Sequence, residues 1–162
     1  MEFVQLPAEK ARALSGLAKK AKRISERRTV LLNELASACE AYRPLVEAGI
    51  SISKPTAEGS GVVVTTPCGN ARASLGWTFD GIDLIGTVVF ERERLDQYAK
   101  TYWEPIFGLR IPEFESPSSG KSPQAVVIPL DDGYGDDLRG ALFRAAVAIA
   151  YGIIQGPMVS ET

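Results

Sequence analysis

An unbroken apolar stripe near the N-terminus constrains this chain more than any other feature. Alternate steps of three and four residues select Leu14, Leu17, Ala21, Ile24, Arg28, Leu31, Leu35, Ala38, Tyr42 and Leu45. Nine of these ten are apolar or aromatic, and the phase never slips. A stripe with a mean spacing of 3.5 keeps facing one neighbour along a helix, which is the condition for a coiled-coil seam. The spacing therefore predicts one continuous helix over 14–45, about 48 Å long at ~1.5 Å per residue. Pro7 and Glu9 suit its start and Ala48-Gly49 its stop. Gly16 weakens such a helix by about 1 kcal/mol relative to alanine, and Pro44 kinks or ends its last turn. A break between Ser25 and Thr29 would fold the rod into a hairpin, but neither Gly nor Pro stands there.

The flanks of the stripe divide the rod into two halves. Val30, Leu32, Cys39 and Val46 widen the apolar face only in the second half, so that half is expected to dock on the protein's own core. The first half is freer to meet another chain. The expected association surface comprises Leu14, Leu17, Ala21, Ile24, Arg28, Leu31 and Leu35, with a homodimer favoured. The alternative fills the seam from within, with the chain's own C-terminal helix. Arg28 stands at an a position, where a charge lowers stability but can fix register or oligomeric state.

The same half is basic. Eight cations and one anion lie between Lys10 and Arg28, a local charge of +7. Lys19, Lys20, Lys22, Arg23 and Arg27 are the candidate contacts for phosphates, where counterion release would supply affinity, or for an acidic protein surface. A solvated face that keeps the rod soluble is the plainer alternative. The stretch holds no aromatic residue for stacking and no groove-reading motif. Residues 1–50 carry nine cations and six anions, and residues 51–162 carry nine and fourteen. The net charge of −2 thus divides into a basic rod of +3 and an acidic body of −5.

Beyond Gly49 the hydrophobic period changes from helical to two. Residues 50–53, 61–66, 71–79, 82–92 and 125–130 are strand candidates. Pro67-Cys68-Gly69-Asn70 and Asp80-Gly81 supply turns between them. With Asp80-Gly81 as a two-residue turn, Phe79 would pair with Ile82 and Trp77 with Leu84. Ala71, Ala73, Leu75, Trp77 and Phe79 would share the buried face with Ile82, Leu84, Val88 and Phe90. The opposite face carries Ile85 and Val89 among small polar residues. It needs a cover, from a helix, a subunit or a ligand held in a groove on Ile85 and Val89. Residues 93–104 read as a short amphipathic helix through Leu95, Tyr98, Ala99 and Tyr102. Residues 137–154 read as a buried helix, apolar nearly all round. The fold class expected is α+β: a long N-terminal helix, an antiparallel meander of four to five strands, a short amphipathic helix and a C-terminal helix packed on the sheet. As domains, 1–48 is an association arm and 49–162 a small α+β unit, with a mobile loop near 115–124.

The chemistry available is narrow. The chain has no histidine, which excludes a Ser-His-Asp triad, a Cys-His pair and imidazole ligation. Cys39 and Cys68 are too few for a disulfide framework or a four-ligand zinc site. Ser118-Ser119-Gly120-Lys121-Ser122 resembles the end of a phosphate loop but has Glu115 where the first glycine belongs. Asp131, Asp132, Asp136 and Asp137 gather four carboxylates around two glycines; Asp131, Asp132 and Asp136 are the weak candidates for a hard cation, against a turn and helix cap. No cofactor is expected. The first residues lack the basic and apolar regions of a secretory signal, and the apolar run near 141–154 is short and interrupted by Arg144. A cytoplasmic protein without membrane insertion is expected. The function expected is a non-catalytic interaction protein that self-associates through its N-terminal helix and binds a macromolecule. A ligand- or metal-binding protein or enzyme is the alternative.

Overall fold

The structure, a computed structural model, describes residues 7–57, 60–131 and 136–156. The predicted rod is three helices: α1 (Ala8–Leu14), α2 (Leu17–Ala41) and α3 (Arg43–Glu47). One continuous helix over 14–45 is therefore corrected at both ends, while the stretch 25–29 runs straight. Gly16 takes a left-handed conformation with φ 66°, which glycine adopts without a Cβ penalty, and α2 starts after it. At the other end Tyr42 is extended, and Pro44 stands in the first turn of α3. There its missing N–H costs nothing, whereas inside a longer helix it would break a hydrogen bond.

Five strands follow as an antiparallel meander: β1 (Ser51–Ile52), β2 (Val63–Thr66), β3 (Gly69–Asp80), β4 (Asp83–Leu95) and β5 (Thr101–Ile111), in that spatial order. The β3–β4 register differs from the expected one by two residues. Asp80 pairs with Asp83, Phe79 with Leu84 and Trp77 with Gly86. The two loop residues are Gly81 and Ile82, and Gly81 alone has positive φ, at 64°, as the first central position of a type II′ turn requires. A shift of two leaves the paired side chains on their expected faces but moves Ile82, expected on the buried face of the strand, out into the loop.

Residues 93–104 are not a helix. β4 continues to Leu95, and a tight turn leads into β5. Asp96 closes that turn: its Oδ1 accepts the amides of Tyr98 and Lys100 at 2.8 and 2.9 Å. Its own amide donates to the Lys100 carbonyl at 2.9 Å. This is aspartate turn chemistry, and it leaves Leu95 and Tyr98 exposed rather than packed. The expected strand at 125–130 is reduced to bridges, in which Ser118 pairs with Arg110 on one side and Val127 on the other.

The last helix, α4 (Asp136–Gln155), packs with α2 on one face of the sheet. Their apolar residues and those of the strands form one core, from Ile24, Leu31 and Leu35 to Val88, Phe90, Leu109, Ile111 and Ile149. Two glycines permit the close approach. A Cβ on Gly86 would lie 2.6 Å from Ile24 Cγ2, and one on Gly152 would lie 2.8 Å from Ile106 Cβ. Ile106 is the extra residue at the irregularity where Phe90 pairs with Phe107 but Glu91 with Pro105. Arg92 is buried at the end of α4, with Nη1 donating to the Ile153 carbonyl at 3.1 Å and Nε to Glu104 at 2.7 Å. Among the described residues no helix is long and apolar enough to cross a membrane.

Candidate functional site

The seam changes character along its length. Ile24, Leu31 and Leu35 are fully buried in the chain's own core, Arg28 is buried, and Ala21 packs half-buried against that core. Only the start of the stripe stays open: Leu14 is 48% exposed and Leu17 36%. From Ile24 onward the occupant of the seam is thus the protein's own sheet and α4.

Arg28 shows how a charge is held at such a position. Its Nη1 donates to the carbonyl of Gly76 at 2.9 Å and to that of Thr87 at 3.4 Å. The guanidinium lies 4.7 Å from the centroid of Trp77. Burial lowers its pKa, yet an arginine keeps its proton at any ordinary pH. The side chain thereby pins α2 to the middle of the β3–β4 ladder.

Next to the open start of the stripe lies an uncovered corner of the sheet. Trp77 and Phe79 share the helix-bearing face of β3, as expected from their alternation, but each is 45% exposed; Ile82 in the loop is 43% exposed. The reason is positional. α2 lies over β4, where Ile24 meets Gly86, and α4 ends at the far end of the sheet, where Ile153 meets Gly69. At the hairpin tip α2 contributes only Arg28, over the Trp77 ring, and Lys20, in a cleft with Asp80 and Asp83. α1 comes up to the tip on the helix-bearing face, and a groove of about 460 Å³ lies between them, lined by Glu9, Lys10, Ala13, Leu14, Phe79 and Gly81. Leu14 and Phe79 share this groove, and Leu17, Trp77 and Ile82 are likewise a third to a half exposed, with Arg28 of α2 over the Trp77 ring. Sequence alternation placed Trp77 and Phe79 on the right face, but how far the covering helices reach depends on the Gly16 break.

The basic residues separate into two groups. Lys19 and Lys22 are exposed, as are Lys10 and Arg12 on α1. Arg23 and Arg27 are engaged by the chain's own acids. Arg23 pairs with Glu113 at 2.7 Å and stacks on Phe114, and Arg27 pairs with Asp131 at 2.7 Å and donates to the Pro112 carbonyl. Lys20 turns towards a cleft of about 450 Å³ that also takes in Asp80, Asp83, Ile85, Arg110, Glu113 and Lys121.

That cleft holds one of the two residues proposed for a site on the second sheet face. Ile85 is buried in its lining, whereas Val89, half-buried, lies outside it. Asp80 accepts from Lys121 at 3.1 Å and from Arg110 at 3.2 Å. The hydrogen bond from Lys121, then its charge, with a smaller part from Arg110, holds the Asp80 carboxyl below its ordinary range. The cations Arg110 and Lys121 thus share the one carboxylate of Asp80. Of the metal candidates, Asp131 is exposed and paired with Arg27, Asp136 is exposed in the first turn of α4, and Asp132 lies outside the described residues. Among the described residues no group of three or more acidic, cysteine or histidine side chains is gathered for a metal. Cys68 is exposed. Cys39 is buried, and burial with help from Glu40 pushes its thiol up to about 11, far from a reactive thiolate.

Comparison with known proteins yields no matching family model, no matching curated protein and no matching solved structure.

Proposed function

We propose that this is a non-catalytic interaction protein that self-associates, as a dimer, through the start of its N-terminal helical segment. The observation that carries the reading is the groove in which exposed Leu14 meets exposed Phe79, with Leu17, Trp77 and Ile82 also open to solvent. Exposed apolar surface rimmed by charges is what interaction sites present. Residues from Ile24 onward are spent on the internal core, which narrows the surface to the first turns of the seam. An acidic protein or nucleic acid as further partner would rely on Lys10, Arg12, Lys19, Lys20 and Lys22. Arg23 and Arg27 are committed to internal ion pairs, so that reading has less behind it than self-association. Ligand binding in the Ile85 cleft ranks lower for the same reason, since Arg110 and Lys121 already share Asp80.

Sedimentation equilibrium at micromolar concentration tests the proposal. The expected result is a dimer that the double change Leu14→Glu, Leu17→Glu converts to monomer. Both side chains are partly exposed, so the variant is expected to stay folded, checked by circular dichroism. A monomer in the unmodified chain would refute it.

A further inference from the structure

We infer that the second copy docks helix-on-sheet: Leu14 and Leu17 of each copy cover the open corner formed by Trp77, Phe79 and Ile82 of the other. This rests on the proposed self-association and specifies its geometry. It replaces the helix-against-helix coiled coil that the heptad stripe suggests.

Three observations support it. The first is the missing cover. A sheet buries one face under helices, and here α2 covers this end only through Arg28, on the Trp77 ring, leaving Trp77 and Phe79 nearly half exposed. The donor surface lies beside its acceptor, since Leu14 and Phe79 line the same groove. A two-fold axis through that groove sets each helix start on the other copy's corner. Such an arrangement is self-complementary and closes at two copies.

The second is area. The five side chains, a third to a half exposed, leave on the order of 400 Å² of apolar surface, taking about 150–250 Å² for a whole aromatic residue. A standard interface takes about 800 Å² per partner, of which roughly 57%, or about 450 Å², is apolar. The corner and its helix therefore supply the apolar part of one complete interface.

The third is charge. The helix side of the patch is basic: residues 8–22 hold Lys10, Arg12, Lys19 and Lys22 besides the Lys20 of the Asp80 cleft, against Glu9 alone. The hairpin side carries Asp80 and Asp83. Asp80 is held by Arg110 and Lys121, whereas Asp83 is exposed with no ion pair among the described residues. A two-fold through the patch brings the basic flank of one copy to Asp83 of the other, twice. Like charges would meet only in the wrong register.

Complementation between two variants of the full chain separates this geometry from a coiled coil. The helix variant carries Leu14→Glu and Leu17→Glu; the corner variant carries Phe79→Lys and Ile82→Lys. Helix-on-sheet docking predicts that each alone is monomeric, with the dimer Kd raised more than about tenfold. An equimolar mixture regains the dimer, because one half-interface is then native and the other sets Glu against Lys. Circular dichroism melts establish that each variant is folded. If the lysines unfold the hairpin, Phe79→Thr with Ile82→Thr keeps good strand formers there and again predicts a monomer. A corner variant that dimerises like the unmodified chain, while the helix variant does not, overturns this geometry and leaves self-association standing. A mixture that stays monomeric overturns it as well. An unmodified chain that is itself monomeric overturns both.

Discussion

Gly86 and Ile24 make a close contact between the helical layer and the sheet. With 2.6 Å between a notional Cβ and Ile24 Cγ2, Gly86→Ala overfills the site and is expected to cost about 1–3 kcal/mol. Combined with Ile24→Ala, the same change should cost little, because the freed volume accepts the methyl. A double-mutant cycle read by denaturant unfolding gives that coupling, and additive effects would count against the contact. Asp80 yields a prediction in pH. Its carboxyl is held below its ordinary range, so the unfolded chain takes up the proton first as pH falls. The stabilisation is present above the unfolded value and is lost as pH falls through the folded one. The stability gap between the unmodified chain and Asp80→Asn should be constant near neutrality and close in acid, measured by urea midpoints across pH. Because Asp80 is well exposed, the gap is small.

Elements were legible where one local signal dominated. The stripe from Leu14 to Leu45 located the helices, and the alternation from Ala71 to Phe79 located β3 and its face. The errors share a cause: two local signals competed and tertiary structure chose. Leu95, Tyr98, Ala99 and Tyr102 recur at helical spacing, but the same residues fit a strand, a turn and a strand once Asp96 caps the turn amides. In Asp80-Gly81-Ile82 the glycine could occupy either central turn position, and its choice shifted the register by two. Gly16 was visible as a weak point, but whether a glycine is a tolerated interior residue or a left-handed joint depends on φ. That distinction has opposite signs. In a continuous helix Gly16→Ala would add about 1 kcal/mol. At φ 66°, with open space around the position, it should instead cost about 1 kcal/mol. A fall in melting temperature supports the joint, and a rise would restore the continuous rod.

At the scale of the whole molecule, the uneven charge takes on a structural meaning. The basic arm of +3 does not stand apart from the acidic body of −5. α2 lies on the sheet, and Arg23 and Arg27 are neutralised by Glu113 and Asp131. What remains basic is α1 and the start of α2, beside a hairpin corner bordered by Asp80 and Asp83. The candidate association surface was half legible. Leu14 and Leu17 were named from the stripe, but their neighbours Trp77 and Phe79 are some sixty residues away, and no periodicity reports which end of a sheet its helices leave bare. Salt should weaken the dimer without abolishing it, because charge forms the rim and apolar surface the centre. The most direct test is sedimentation equilibrium of the unmodified chain over a wide concentration range. The expected result is a reversible monomer–dimer equilibrium with the dimer dominant at micromolar concentration; a single monomeric species throughout would contradict it.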